Sequence, residues 1–179
     1  MDLPYQPFWC EENAWHLCQD PRVRGRRYAL IVTGDDNVAL WAQRAGPPGQ
    51  AVAWDYHVLV LAEAEGAWTA WDPDCVHGPT LPAGQWLAGS FPCPERVPAA
   101  LQPRFRLVDG DEWVAHLRSD RSHMRDARGG WQRPPPPWPP PGDGGMNLPE
   151  WLAPRGGRGR LFDLAGLRRL VGDGGDLSG

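Results

Sequence analysis

Three residues far apart in the chain carry the groups that thiol chemistry needs: Cys10, His57 and Asp72. An ionised thiol is the nucleophile, an imidazole moves the proton, and a carboxylate fixes the imidazole tautomer and stabilises its cation. Cys10 opens the stretch "CEENAWHLCQDP", where Ala14, Leu17 and Cys18 recur at helical spacing, Glu11 and Glu12 fill a first turn and Pro21 forbids continuation. The spacing predicts a helix over 10–19 with Cys10 at its start. Unpaired backbone N–H groups and the positive end of the helix dipole favour an anion there. The thiol is therefore expected to lean toward thiolate, from an ordinary pKa of ~8.5 toward ~7 or below when a histidine joins it. Buried cysteines are usually inert, so its partners must decide.

His57 stands at the entrance of the strand spelled by Val58, Leu59, Val60 and Leu61 in "AVAWDYHVLVLAEAEG". His57, Leu59 and Leu61 share one face of that strand. The next strand, "AWTAWDPD", begins at Ala67. A four-residue connection pairs Ala62 with Ala67 and sets His57 opposite Asp72; a two-residue turn at Glu65 and Gly66 sets Leu59 opposite Asp72, with His57 its diagonal neighbour. Either register brings the two to within roughly 4.5 to 8 Å between Cβ atoms. A one-residue slip separates them. The alternative role is a polar pair at the sheet rim, without chemistry.

Other elements must hold these residues in place. Tyr28 to Thr33 reads as a buried strand, Gly34 to Asn37 as a hairpin turn, and Val38 to Trp41 as its partner. Beyond Pro79 the pattern turns irregular until Phe105 to Val108, a strand followed by a helical turn carrying Trp113, Val114 and Leu117. "NLPEWL" reads as a short helix start, and "LFDLAGLRRLV" as an amphipathic helix with Leu161, Leu164, Leu167, Leu170 and Val171 on one side. Helices at both ends with antiparallel strands between them define an α+β class. Residues 1–171 are expected to form one catalytic domain, and 172–179, "GDGGDLSG", a disordered tail.

Composition narrows the function. The formal charge of -4, with 18 basic residues scattered among 179, gives no footprint for nucleic acid or an anionic membrane. The start has no signal-peptide pattern, and no run of about 18 apolar residues occurs. A soluble, unexported, cytoplasmic protein is expected. Four cysteines without a C-x-x-C spacing suggest free thiols. A zinc site from Cys75, His77 and Cys93 would need a tighter spacing than common structural sites use. Of the 22 glycines and 21 prolines, twelve lie in 129–145, "GGWQRPPPPWPPPGDGG". This polyproline segment is expected to be a strap packed through Trp131 and Trp138; as a ligand for a proline-recognition domain it would make the chain a non-catalytic interaction module.

"WCEENAW" around Cys10, "WDYHV" at 54–58, "WDPD" at 71–74, "FRLV" at 105–108, "SDRSHM" at 119–124 and the proline run before "MNL" resemble the WDYHV family, the protein N-terminal glutamine amidohydrolases. The resemblance spans about residues 5 to 152. It implies a papain-like fold whose triad matches Cys10, His57 and Asp72, and hydrolysis of the side-chain amide of an N-terminal glutamine to glutamate and ammonia. It also implies that the product is extended by an aminoacyl transferase and degraded.

Given that reaction, Cys10 attacks the side-chain carbonyl, its own N–H serves the oxyanion, and Tyr5 or Gln6 is offered as second donor. Asp55 shares parity with His57 and is the expected partner of the substrate ammonium, with Asp74 competing; Trp9 is the expected wall against a preceding residue. His123 is a rival base. No metal or other cofactor is required, the partners are proteins or peptides with a free N-terminal glutamine, and a monomer is expected. Transglutaminases and other papain-like thiol hydrolases share the Cys, His, Asp order and differ in the acceptor.

Overall fold

The computed structural model describes residues 3–172. Met1, Asp2 and residues 173–179, most of the expected tail, lie outside the described residues; Gly172 still belongs to a helix. In chain order the elements are α1 (Cys10–Leu17), β1 (Arg26–Leu40), β2 (Val52–Ala64), β3 (Ala67–Trp71), β4 (Thr80–Pro82), α2 (Ala83–Ser90), β5 (Arg104–Asp109), α3 (Gly110–His116), α4 (Leu148–Leu152), β6 (Arg160–Phe162) and α5 (Leu164–Gly172). The strands form one six-stranded antiparallel sheet in the order β4-β3-β2-β1-β5-β6, the α+β arrangement that the pattern predicts.

Period-two alternation sorts the sheet residues onto two apolar faces. Leu30, Val32, Leu59, Leu61 and Phe105 pack under Trp86 and Leu87 of α2 and Leu167 and Leu170 of α5. Ala29, Ile31, Val58, Val60 and Val108 pack under Ala14 and Leu17 of α1, Trp113 of α3 and Trp151 of α4. Full burial of a side chain such as Leu17 contributes about 1.5–3 kcal/mol, so α1 is pinned to the sheet well beyond its intrinsic helical tendency.

The sheet corrects three expectations. Residues 28–33 and 38–41 are not two arms of a hairpin: β1 continues past Gly34–Asn37, because β2 pairs with it on both sides, at Thr33↔Tyr56 and again at Val38↔Trp54. The turn-forming residues are extruded as a bulge, tight enough that a Cβ on Gly34 would lie 1.9 Å from the Asn37 carbonyl oxygen. Leu161 belongs to β6, pairs with Arg106 and is exposed; the helix starts only after Asp163, whose carboxylate accepts the Gly166 N–H at 2.6 Å. The stretch after Pro79 is regular, forming β4 and α2, whose Ala83, Trp86, Leu87 and Ser90 are all buried.

Candidate active site

Cys10 is the first residue of α1, and the chain enters it under constraint. The Asn13 carboxamide clamps the backbone of Gln6, accepting its N–H at 2.8 Å and donating to its carbonyl at 2.9 Å. Phe8, just before the helix, has φ +69°, a left-handed conformation that a bulky residue adopts only when its surroundings enforce it. These contacts aim the Cys10 side chain into a cavity of about 440 Å³ that it lines together with His57, Trp54, Asp55, Tyr56 and Asp74.

The register of β2 and β3 places the histidine and the aspartate. Glu65 and Gly66, with φ of +54° and +80°, form the two-residue turn that pairs Ala64 with Ala67, and the ladder runs to Val60↔Trp71. Asp72, one residue further on, falls in line with Leu59, so His57 is its diagonal neighbour on the same face. The side chains meet directly, His57 Nε2 to Asp72 Oδ1 at 3.0 Å, and both are buried. Three further donors hold Asp72: the Asp74 N–H at 3.1 Å, the Trp86 indole at 2.9 Å and the Gln43 carboxamide at 3.4 Å. With Nε2 committed to Asp72, Nδ1 is the ring nitrogen left for other work, and Trp54 stacks on the ring at 6.2 Å.

Burial alone would push the Asp72 carboxyl up, but the His57 charge and hydrogen bond, the Trp86 indole and the Asp74 amide hold it below the ordinary value. Burial pulls the imidazole down, yet the charge and hydrogen bond of Asp72 leave His57 above its ordinary value. Cys10 departs from the expected direction. Burial first, then the charges of Glu11 and Asp74, push its thiol well up, against a lowering by the Val58 amide. Glu11 is a first-turn residue whose side chain is buried, its Oε2 3.7 Å from Cys10 Sγ and 3.2 Å from the Tyr56 hydroxyl that donates to it. A helix start cannot outweigh burial together with an adjacent carboxylate.

The strap and the "SDRSHM" stretch close the cavity. Gln132 and Arg133 line it from the strap, with the Arg133 guanidinium 4.0 Å over the Phe8 ring, and His123 lines it with Nε2 3.3 Å from Glu11 Oε1. Arg121, at φ +62°, donates through Nε and Nη2 to the two Glu12 oxygens, each at 2.8 Å, and to the Trp138 carbonyl at 2.8 Å. The Trp138 indole returns to Glu12 at 2.9 Å, and the Trp9 indole donates to the Pro134 carbonyl at 2.9 Å. The proline segment is thus tied to α1 by buried polar groups.

The remaining site candidates are scattered by the same contacts. Trp9 is wholly buried between the strap and His123, while its neighbour Phe8 lines the cavity. Asp55 lines the cavity from an exposed position and accepts the Tyr56 N–H at 3.0 Å. Tyr5 donates to Asp74 at 2.7 Å and Gln6 to the Pro134 carbonyl at 3.2 Å, so both side-chain donors offered for the oxyanion are engaged elsewhere. Trp86 and Gln43, which hold Asp72, escape the motif reading, although the i, i+3, i+4, i+7 spacing of Ala83, Trp86, Leu87 and Ser90 is a helical signal.

Among the described residues, only His57, Asp72 and Asp74 bring three potential metal-ligand atoms within 4.8 Å of one another; Cys75, His77 and Cys93 do not. Asp72 already accepts from four donors, so a metal ion bridging the three would have to displace them; the donor set suits proton handling better. A larger cavity of about 700 Å³, at His116, Arg118, Asn147 and Arg158, contains no thiol. Among the described residues no helix is long and apolar enough to cross a membrane.

A helix-leading cysteine and a histidine held by a buried carboxylate thus line one cavity, the groups that acyl-transfer chemistry draws on. The family described as N-terminal glutamine amidase matches residues 5–167, and the chain belongs to it. It is 32% identical over 171 residues to a Bos taurus protein named protein N-terminal glutamine amidohydrolase, covering 89% of this chain and 83% of that one. A Homo sapiens protein of the same name is 31% identical over 179 residues, covering 94% and 87%. One from Drosophila grimshawi is 34% identical over 151 residues, covering 78% and 72%.

Proposed function

We propose that this protein hydrolyses the side-chain amide of a glutamine at the free N-terminus of a protein or peptide, through a papain-like Cys10–His57–Asp72 triad. The observation that carries the reading is that His57, held from behind by the buried Asp72, lines one cavity with Cys10, in a member of the N-terminal glutamine amidase family. As the thiol attacks the side-chain carbonyl carbon, its proton passes to His57 and negative charge develops on oxygen. The Cys10 N–H, one of the first-turn donors without an intrahelical partner, stabilises that oxyanion.

Collapse of the intermediate expels ammonia, which takes the proton from His57, and leaves a thioester on Cys10. His57 then removes a proton from water, which attacks the thioester. Glutamate is released and the thiol regains its proton. Asp72, ionised and fixed by four donors, holds the ring and stabilises its charged form. Phe8 and Trp54 are suited to wall the cavity against a residue preceding the glutamine, with Trp9 behind them bracing the strap. Asp55 and Asp74 are the carboxylates lining the cavity that can receive the α-ammonium. The N-terminal glutamate produced is the input to a degradation pathway that recognises acidic N-termini.

Mass spectrometry of peptides beginning Gln, Asn and acetyl-Gln after incubation with the protein tests this. A gain of about 1 Da on free N-terminal Gln alone is expected, because a shorter side chain holds its carbonyl away from Cys10. Equal turnover of acetyl-Gln overturns the N-terminal requirement, and amine incorporation in place of water makes the protein a transglutaminase.

A further inference from the structure

The cavity that must create a thiolate is already rich in negative charge. Glu11 touches the Cys10 sulfur from α1, and Asp74 lines the cavity from the turn after β3, close to Asp72. Asp55 lines it from β2, as does Tyr56, whose neutral hydroxyl donates to Glu11. Basic groups offset only part of this. His57 is engaged by Asp72 and His123 is set against Glu11, Arg133 is stacked on Phe8, and Arg44 acts on Asp74 only from a distance. An anion on Cys10 is disfavoured in such a field until a cation enters it.

Asp74 is placed to receive that cation. It is 6% exposed, its Oδ1 accepts the Tyr5 hydroxyl at 2.7 Å, and among the described residues no donor is hydrogen-bonded to Oδ2. Burial and the charge of Asp72 push its carboxyl above the ordinary value, a cost that an ammonium partner would remove. Asp55, by contrast, is exposed, where water and salt screen an ion pair. Four bonds separate the α-nitrogen of glutamine from its amide carbon, a span of about 5 Å when extended, and Asp74 and Cys10 line the same cavity.

We propose that Asp74 binds the α-ammonium of the substrate and that this arriving positive charge is what allows Cys10 to pass its proton to His57. The free amino terminus is then required for the chemical step and not only for affinity. The proton moves from Sγ to the imidazole, the ammonium keeps its own, and no other reactant is consumed. This assignment rests on the reading of the protein as an N-terminal glutamine amidohydrolase.

The test compares a peptide beginning with glutamine and its desamino analogue, in which hydrogen replaces the α-amine, by ammonia release from wild-type protein with and without methylammonium. The desamino peptide should lose on the order of 10² in kcat as well as KM, since the missing cation acts in the transition state. Its kcat should also need a higher pH, and methylammonium should restore it at least in part. In Asp74→Asn the preference for the amine should collapse and methylammonium should do nothing, whereas Tyr5→Phe should keep the preference. An amine effect confined to KM overturns the coupling, as does an equal fall of both peptides in Asp74→Asn. Collapse of the preference in Asp55→Asn instead overturns the choice of Asp74. Should Asp74→Asn fail to fold, the kcat–KM split and the methylammonium response of wild type decide alone. If wild type releases no ammonia from the glutamine peptide, it is the proposed function that fails.

Discussion

The two halves of the site are built by opposite means. His57 and Asp72 sit on and just beyond a hairpin whose position is set by a backbone ladder and a two-residue turn. The opposite wall, made by the "SDRSHM" stretch and the proline strap, is poor in backbone pairing, because proline has no N–H to donate, and is fixed by side chains reaching from α1. In the first half an altered side chain removes chemistry and leaves its frame standing. In the second, one altered side chain removes the frame.

Replacing the proposed nucleophile, which α1 presents to the hairpin, should have the largest effect. Cys10→Ser should keep the fold, since serine tolerates a helix start, and lose turnover on the order of 10⁴ or more by ammonia release. Cys18→Ser, Cys75→Ser and Cys93→Ser should stay active where they fold; a folded, active Cys10→Ser would remove the cysteine from the mechanism. Asp72→Asn comes next, with a loss on the order of 10² to 10³ in kcat. Should Asp55→Asn abolish turnover while folded Asp72→Asn runs at wild-type rate, the third member of the triad is Asp55 and not Asp72.

The second half answers in stability. Arg121→Met leaves Glu12 buried without its charged partner and should cost about 3–5 kcal/mol by denaturant unfolding, with part recovered when Glu12→Gln is added. A neutral Arg121→Met would show that the strap is held otherwise. The smallest effect is in pH. The lowered Asp72 contributes stability above its unfolded pKa of about 3.9 and loses it as pH falls through its lower folded value; the raised His57 contributes below about 6.5 and loses it as pH rises through its higher one. The Tm gap between wild type and Asp72→Asn should therefore be widest between about pH 4 and 6.5, by a few °C, and shrink on both sides. A gap constant with pH would sink the ion-pair account.

The halves also differ in how far the sequence discloses them. The His57–Asp72 contact follows from period two and the Glu65–Gly66 turn, because both allowed registers share a parity. Cys10 is visible as a helix start from Glu11, Glu12 and Pro21. What escapes is whatever long-range packing decides. Trp86 and Gln43 reach Asp72 from segments 14 and 29 residues away, and no local pattern records their aim. Gly34–Asn37 has the composition of a reversing turn, yet β2 pairs on both sides of it and turns it into a bulge within one strand. Glu11 reads as a favourable first-turn acid, and only its burial beside the thiol turns it into an obstacle to ionisation.

The sheet ends on β4 and β6, each three residues long, the first closing in Pro82 and the second opening with Arg160. Strand edges are where one folded molecule can recruit another into intermolecular ladders and aggregates, and short edges carrying proline or charge make poor templates. A peptide added at either rim would find too few backbone groups to be held as a further strand. Its side-chain sequence would therefore go largely unread along the sheet, in keeping with the proposed recognition of a chain by its first residue.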